Sequence, residues 1–547
     1  MKDRIKNMTK WNKFVIITFA AIFILGCFIF KDYGVSVDEP MQRHHSLVNL
    51  YYIKSVLKGD FIASGCKIYP KNSNLEKLVD REVVERRFYL YTYKYYGIAI
   101  QIPLMIIENI FNYKLGYSVI YLIRHFYTFL IFFLSLIYFY KILLNFNLRC
   151  KKLPLLGVLF LVLSPRIFGD AFYNIKDLMF MSLSIINLYY CLLYLKQPKF
   201  NNLFILALVS AITINLRFIG AIYLFLVLLF KLILLFKNKF KDSKQIIKNV
   251  LILICLTFSI YVLITPASWN DIFGYPLKVV KFFTNYRDPL SKQIHKCLYF
   301  GKELSSEELP WHYLPVWIFI TTPFIYIITF IIGYVRSFSS IIKRENEDNT
   351  NILYCNLIFT FILLCVMIFK PTIYCGWRHF YFLYPILMIN SILGIDYLMN
   401  KGKILKKIVI TLLIINSLYI SYWMIKYHPY QYNYFSLPTR KYAVNNFNTN
   451  YWRISNYDAL KYILKNDNRS KLVVYLDSDK LEVEANRLLL SKDDDTRLQI
   501  YNNNDFNAYD YVIVDDRKIK LNLDRYREIY SEKMDGYKLY TIYKRKQ

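Results

Sequence analysis

Charged residues are scarce in this chain. They make up 20% of 547 residues, with 39 Asp and Glu against 70 Lys and Arg. Disordered chains are rich in charge and poor in aromatics. Here aromatics reach 18% and hydrophobic residues 56%, so disorder is excluded. Cysteine is sparse too: nine residues, scattered, with no CxxC pair. That indicates neither a zinc site nor a disulfide framework. No internal repeat or low-complexity linker stands out. What is abundant is apolar sequence in blocks of about 17–25 residues, the length at which a helix crosses a bilayer. A soluble chain this apolar would expose large adhesive patches. The chain therefore reads as an α-helical polytopic membrane protein. Its formal charge of +31 would suit a nucleic acid, but the cations sit in short clusters between apolar blocks. Cytoplasmic loops look like this, so no nucleic-acid partner is expected. The many Lys, Asn, Ile, Tyr and Phe residues point to an AT-rich, bacterial genome.

Eleven spans are expected: 14–30, 119–144, 153–168, 178–195, 203–217, 218–236, 250–266, 313–335, 352–369, 378–398 and 408–425. The start also resembles a signal peptide, with Leu25-Gly26-Cys27 like a lipoprotein box. The apolar run continues through Phe28-Ile29-Phe30, so it reads as a retained anchor. The segment 97–111 is apolar but short and contains Glu108; it reads as a helix at the interface. Charge orients the map. Lys and Arg cluster at the N-terminus, at 149–152, 196–199, 237–249, 336–344 and 401–407. The alternate loops hold isolated cations, so the N-terminus lies inside and the C-terminus outside the cytoplasmic membrane. Residues 1–425 then form the transmembrane domain, with outer loops 31–118 and 267–312. Residues 426–547 form a small α/β extracytoplasmic domain. It has a helix over 455–466, strands at 471–476 and 510–515, and a hairpin around Asp535-Gly536.

On this map all seven His and six of seven Trp fall on the outer side. Aromatic belts populate both interfaces, so a one-sided bias points to an outer-face site. Ionisable residues crowd the outer mouths of spans: Asp38 and Glu39 after the first, Arg124 and His125 in the second, Asp170, Lys176 and Asp177 between the third and fourth, Arg217 between two apolar blocks, and Arg378 and His379 opening the tenth. Such residues are costly at that depth and mark function. The competing reading is a solvated loop charge or a structural ion pair; for His44 and His45 it is a polar loop surface. Acids beside cations at a membrane boundary suit a substrate with a lipid tail and an anionic head. A carboxylate can take a proton from a hydroxyl acceptor. Arginine can hold a phosphate and stabilise it as a leaving group.

These residues stand in an ordered set of motifs: GVSVDEPMQRHH after the first span, SPRIFGDAFYNIKDLMFM, NLRFIG, LPWHYLPVW, CGWRHFYFLYP, HPYQYNYF and TNYWRISNYDALKYIL. Over roughly residues 30–465 the chain resembles the bacterial family 39 glycosyltransferases of the GT-C fold, relatives of protein O-mannosyltransferases and lipid A aminoarabinose transferases. The resemblance implies Asp38 as catalytic base or acceptor-positioning acid with Glu39 supporting it, and Asp177 as a second functional acid. It implies a donor-phosphate contact from Arg217 and matches Arg378-His379 to a recurrent Arg-His-Phe segment; Arg378 and Lys176 are expected to join Arg217 at the phosphate. His44, His45, Arg124, His125, Trp311, His312 and His379 are candidate substrate contacts. The implied donor is a polyprenyl-phosphate-linked sugar and the implied acceptor a protein, lipid or glycan, and no cofactor or metal is expected. Asn450 is a departure: many relatives carry Asp before the Tyr-Trp pair. Its place in the outer domain puts it away from the chemistry. The segment after about 466 matches no pattern.

Two other functions compete. A transporter or lipid flippase would show matching halves and polar residues at mid-membrane; the polar residues here sit at the outer face. An anchored binding protein would leave the charges at the span mouths unexplained.

Overall fold

The structure, a computed structural model, describes residues 9–58, 92–111, 115–237, 243–284, 296–306, 308–342, 350–476, 480–501, 509–515 and 525–546. His295 and parts of both expected outer loops lie outside these. The chain opens with α1 (Lys10–Ile29), capped by the Thr9 hydroxyl, which accepts the amide of Asn12. Then come α2 (Asp38–Lys58), the short α3 (Ile102–Ile110) and α4 (Tyr117–Leu144). The pair α5 (Leu153–Val162) and α6 (Pro165–Tyr173) leads to α7 (Asp177–Lys196), α8 (Phe200–Leu216), α9 (Ala221–Lys237) and α10 (Ser243–Leu263). After α11 (Tyr275–Thr284), strands β1 (Lys296–Tyr299) and β2 (Lys302–Ser305) form a hairpin. They are followed by α12 (Tyr313–Thr321), α13 (Phe324–Ile342), α14 (Thr350–Phe369), α15 (Tyr384–Met399) and α16 (Lys403–Lys426).

Among the described residues nine helices are long and apolar enough to cross a membrane, or ten if the bent α5–α6 pair is one span. The chain is a multi-pass helical membrane protein. With α8 these helices match the eleven expected spans, and proline breaks two of them. A residue before proline is pushed out of the helical region. Ser164 is extended before Pro165, and α5 and α6 meet at 64°. Thr322 is extended before Pro323, so the expected span 313–335 divides into α12 and α13. The expected span 203–217 is α8, 17 residues long. At 1.5 Å per residue it covers about 25 Å, short of a full hydrocarbon core. Its end nevertheless meets the start of α7 through Arg217 and Asp177, so it returns to the level from which α7 departs. The segment 99–110 is a short apolar helix.

Helices α13 and α15 touch backbone to backbone. A Cβ on Gly333 would lie 1.8 Å from the Asn390 carbonyl oxygen, and one on Gly394 2.0 Å from that of Thr329. Small residues are what permit such an approach within a bilayer.

The chain ends in α17 (Arg440–Asn446), α18 (Ser455–Asn466) and a five-stranded sheet. Its strands are β3 (Leu472–Leu476), β4 (Leu498–Tyr501), β5 (Tyr511–Asp515), β6 (Tyr526–Met534) and β7 (Tyr537–Arg545), in the order β4-β3-β5-β7-β6. β3 pairs in parallel with β4 and β5, and β7 antiparallel with β5 and β6. The β6–β7 turn has Asp535 at φ 48° and Gly536 at φ 88°. Two left-handed residues are what a two-residue hairpin loop demands, hence Asp-Gly. This turn docks on the end of α16: Asp535 accepts the Trp423 indole N–H at 2.9 Å and pairs with Arg440 at 3.1 Å.

The expected topology, read from the basic loops, places the sheet outside. A reporter fused after Lys426 is expected to be active only in a form that works in the exterior compartment. Cytoplasmic activity would require an even number of crossings.

Candidate active site

Two acids sit at helix N-termini, where the helix dipole favours negative charge. Asp38 opens α2 and Asp177 opens α7. The Asn174 side-chain oxygen accepts the Asp177 amide at 2.8 Å, fixing that turn. Arg217 sits at the C-cap of α8, in extended geometry, where the dipole favours a cation. Arg378 starts a 3-10 turn, Arg378–Leu383, that feeds α15.

Packing brings these four ends together. Arg378 donates to Asp38 at 2.7 Å and lies 3.4 Å from Asp177. Arg217 donates to the other oxygen of Asp177. Lys176 joins them: burial and the adjacent Arg217 push its ammonium down to about 7, against the pull of Asp38 and Asp177. Three cations face two carboxylates, a formal surplus of one positive charge. The two acids differ in access. The Asp38 side chain is 27% exposed and that of Asp177 1%. Arg217 is 20% exposed. The Nε atoms of Arg217 and Arg378 are buried without a hydrogen-bond acceptor among the described residues. Buried donors of this kind are costly unless an acceptor arrives.

Aromatic rings shape the cluster. Arg378 lies over Tyr451 at 4.6 Å and Trp452 at 4.5 Å, and donates to the Tyr451 hydroxyl at 2.6 Å. Trp452 in turn donates its indole N–H to Asp170 at 3.1 Å, and Asp170 also accepts from Tyr173 and Asn174. Asn450 and Arg453, at φ 45° and 48°, bracket the pair. Asn tolerates the left-handed region; for Arg it is strained, and such strain concentrates at functional sites. Asn450 itself bonds Tyr432, Asn433 and Ser455, and the two residues after it lie on Arg378. Lys176 Nζ sits 3.7 Å from the Tyr96 ring, on which His45 also stacks at 5.5 Å.

The remaining candidates make other contacts. Glu39 is fully buried. It accepts the Ser36 amide at 2.8 Å, as the Glu of a capping box does, and meets His125 Nε2 at 3.1 Å. Arg124 is locked in a buried triad: Glu108 receives Arg43 at 2.6 Å and Arg124 at 2.9 Å. Burial opposes the Glu108 charge, yet the two arginines outweigh it and hold the carboxyl below its ordinary value. Breaking such a group costs about 3–5 kcal/mol, so it anchors α2 to α3 and α4. His44 and His45 are buried on α2, which corrects the polar-loop reading. His45 is pushed well below its ordinary value by burial, with His44 and Lys176 adding to it. His379 adjoins Arg378 and meets the Tyr374 ring at 5.4 Å. Trp311 is exposed, and His312 bonds the Tyr299 hydroxyl at 2.6 Å, both apart from the cluster. Tyr96, Tyr451 and Trp452 were not among the expected site residues. The Tyr-Trp pair in TNYWRIS was their visible signal; Tyr96 had none.

No family model matches the sequence, and no curated protein is similar to it. Among solved structures, the chain is similar to the Archaeoglobus fulgidus oligosaccharyltransferase in its apo form. Identity is 11% over 91% of this chain and 69% of that one, with a TM-score of 0.46. It is also similar to ArnT from Cupriavidus metallidurans bound to undecaprenyl phosphate. There identity is 9% over 97% of this chain and 98% of that one, with a TM-score of 0.46. At these values the likeness assigns neither donor nor acceptor.

Proposed function

We propose that this chain is a membrane glycosyltransferase of the GT-C type. It moves a sugar from a polyprenyl-phosphate donor to a hydroxyl acceptor on a protein, lipid or glycan at the outer face of the membrane. The observation that carries this reading is the pairing of one accessible carboxylate with a surplus of cations at a single set of helix ends. Asp38 takes the acceptor proton as the acceptor oxygen attacks the anomeric carbon. The bond from that carbon to the phosphate oxygen breaks, with inversion, and its electron pair leaves on the phosphate. Arg217, Arg378 and Lys176 hold the growing negative charge, a role that preorganised cations fill well. Asp177, buried between the two arginines, acts through them as a positioning residue. Glu39 and the Arg124 triad hold α2, and thereby Asp38, in place.

Purified protein in detergent is expected to transfer radiolabelled sugar from polyprenyl-phosphate donors to envelope acceptors, with EDTA present. Movement of a lipid-linked sugar across proteoliposomes without covalent change would instead establish a flippase.

Lys176 makes the reading pH-sensitive. An anion beside it raises its pKa above the free value of about 7. Donor affinity is then complete below pH 7 and falls as pH rises through the bound-state value, by up to about tenfold per unit. Donor titrations across pH 6–9 check this, and Lys176→Gln is expected to flatten the dependence. An unchanged slope in that variant removes Lys176 from the phosphate site.

A further inference from the structure

A polar cavity of about 370 Å³ lies between the ends of α4, α13 and α15 and the start of α14. Helix α15 begins beside Arg378 and ends at this cavity, so about 24 Å of helix separates it from the active cluster. Among the described residues, Arg149, Arg336 and Lys401 line it with one carboxylate, Asp396, a formal surplus of two positive charges. Asp396 is engaged by the chain itself, accepting the backbone amides of Arg149 at 3.3 Å and Cys150 at 3.1 Å. Arg336 and Lys401 share the Tyr397 ring, at 5.6 and 4.8 Å. The side chains of Asn147 and Asn351 add amide donors to the lining.

We infer that this cavity binds the phosphate head group of an anionic phospholipid, in the leaflet opposite the active cluster. Its volume falls in the range of small-molecule sites, about 300–1,000 Å³. It opens between span ends, the depth at which head-group phosphates lie, and basic pockets between helices on the cytoplasmic side recognise such groups. An arginine fork matches a phosphodiester. The site is independent of the transferase reading and stands whether or not that reading does.

Native mass spectrometry of the full chain tests it, with phosphatidylglycerol or phosphatidylcholine added in detergent. Wild type is expected to retain phosphatidylglycerol at least about tenfold better. The double variant Arg149→Gln, Lys401→Gln is expected to lose about 30-fold, at about fivefold per cation. Both side chains are exposed, so the fold is not at stake. A control variant, Lys196→Gln with Lys199→Gln, removes exposed charges on the same side, away from the cavity, and is expected to change nothing. Excess inorganic phosphate is expected to leave the lipid in place. The inference is overturned by equal retention of the two lipids, by equal loss in the control (a general surface attraction), or by displacement with phosphate (a soluble-anion site).

Discussion

Asp38→Asn is expected to lower turnover by about 10²–10⁴-fold, the usual contribution of a general base, with donor affinity nearly unchanged. The amide keeps the shape of the side chain, and its oxygen can still accept from Arg378. What it loses is the capacity to take a proton. Asp38 is the more exposed carboxylate of the cluster, at 27% against 1% for Asp177. Single-turnover transfer at saturating donor measures the step directly. The corresponding change at Asp177 acts by a different route: it frees both arginines from their shared anchor and so disturbs donor binding and turnover together. An Asp38→Asn protein that turns over at a near-normal rate would remove Asp38 from the mechanism.

Arg217→Gln is expected to cost about 10²–10³-fold in kcat/KM, the scale of losing one preorganised donor to a developing anion. The loss divides between weaker donor binding and a slower chemical step, because the phosphate is charged in the ground state and gains charge as the glycosidic bond breaks. Asp177 keeps its contact with Arg378 in this variant, which protects the fold. Arg217→Lys is expected to be partly active: the charge persists while the planar fork is lost. The alternative is an arginine that snorkels to lipid head groups and anchors α8. Titrating the lipid-linked donor at saturating acceptor separates the two. Unchanged donor dependence with an unchanged maximal rate would establish the anchor.

Local sequence properties were enough to establish that the chain is a helical membrane protein, where most helices run, and which ends carry the basic loops. Hydrophobic length, cation clusters and turn residues act within a few positions. The Asp535-Gly536 turn and the helix at Ser455–Asn466 were readable for the same reason. The prolines at 165 and 323 were equally local, yet the long apolar stretches around them masked the breaks. Which charges meet was a matter for tertiary structure alone. Arg378 and Asp38 are 340 residues apart, and only the packing of four helix ends places one against the other. The same packing separates adjacent acids: Asp38 is left partly open, while Glu39 turns inward to Ser36 and His125. It also carries Tyr451 and Trp452, from beyond the last span, onto Arg378. Depth and exposure decide whether a charge meets a ligand or anchors a helix, and both arise from contacts between distant segments rather than from any one stretch of sequence.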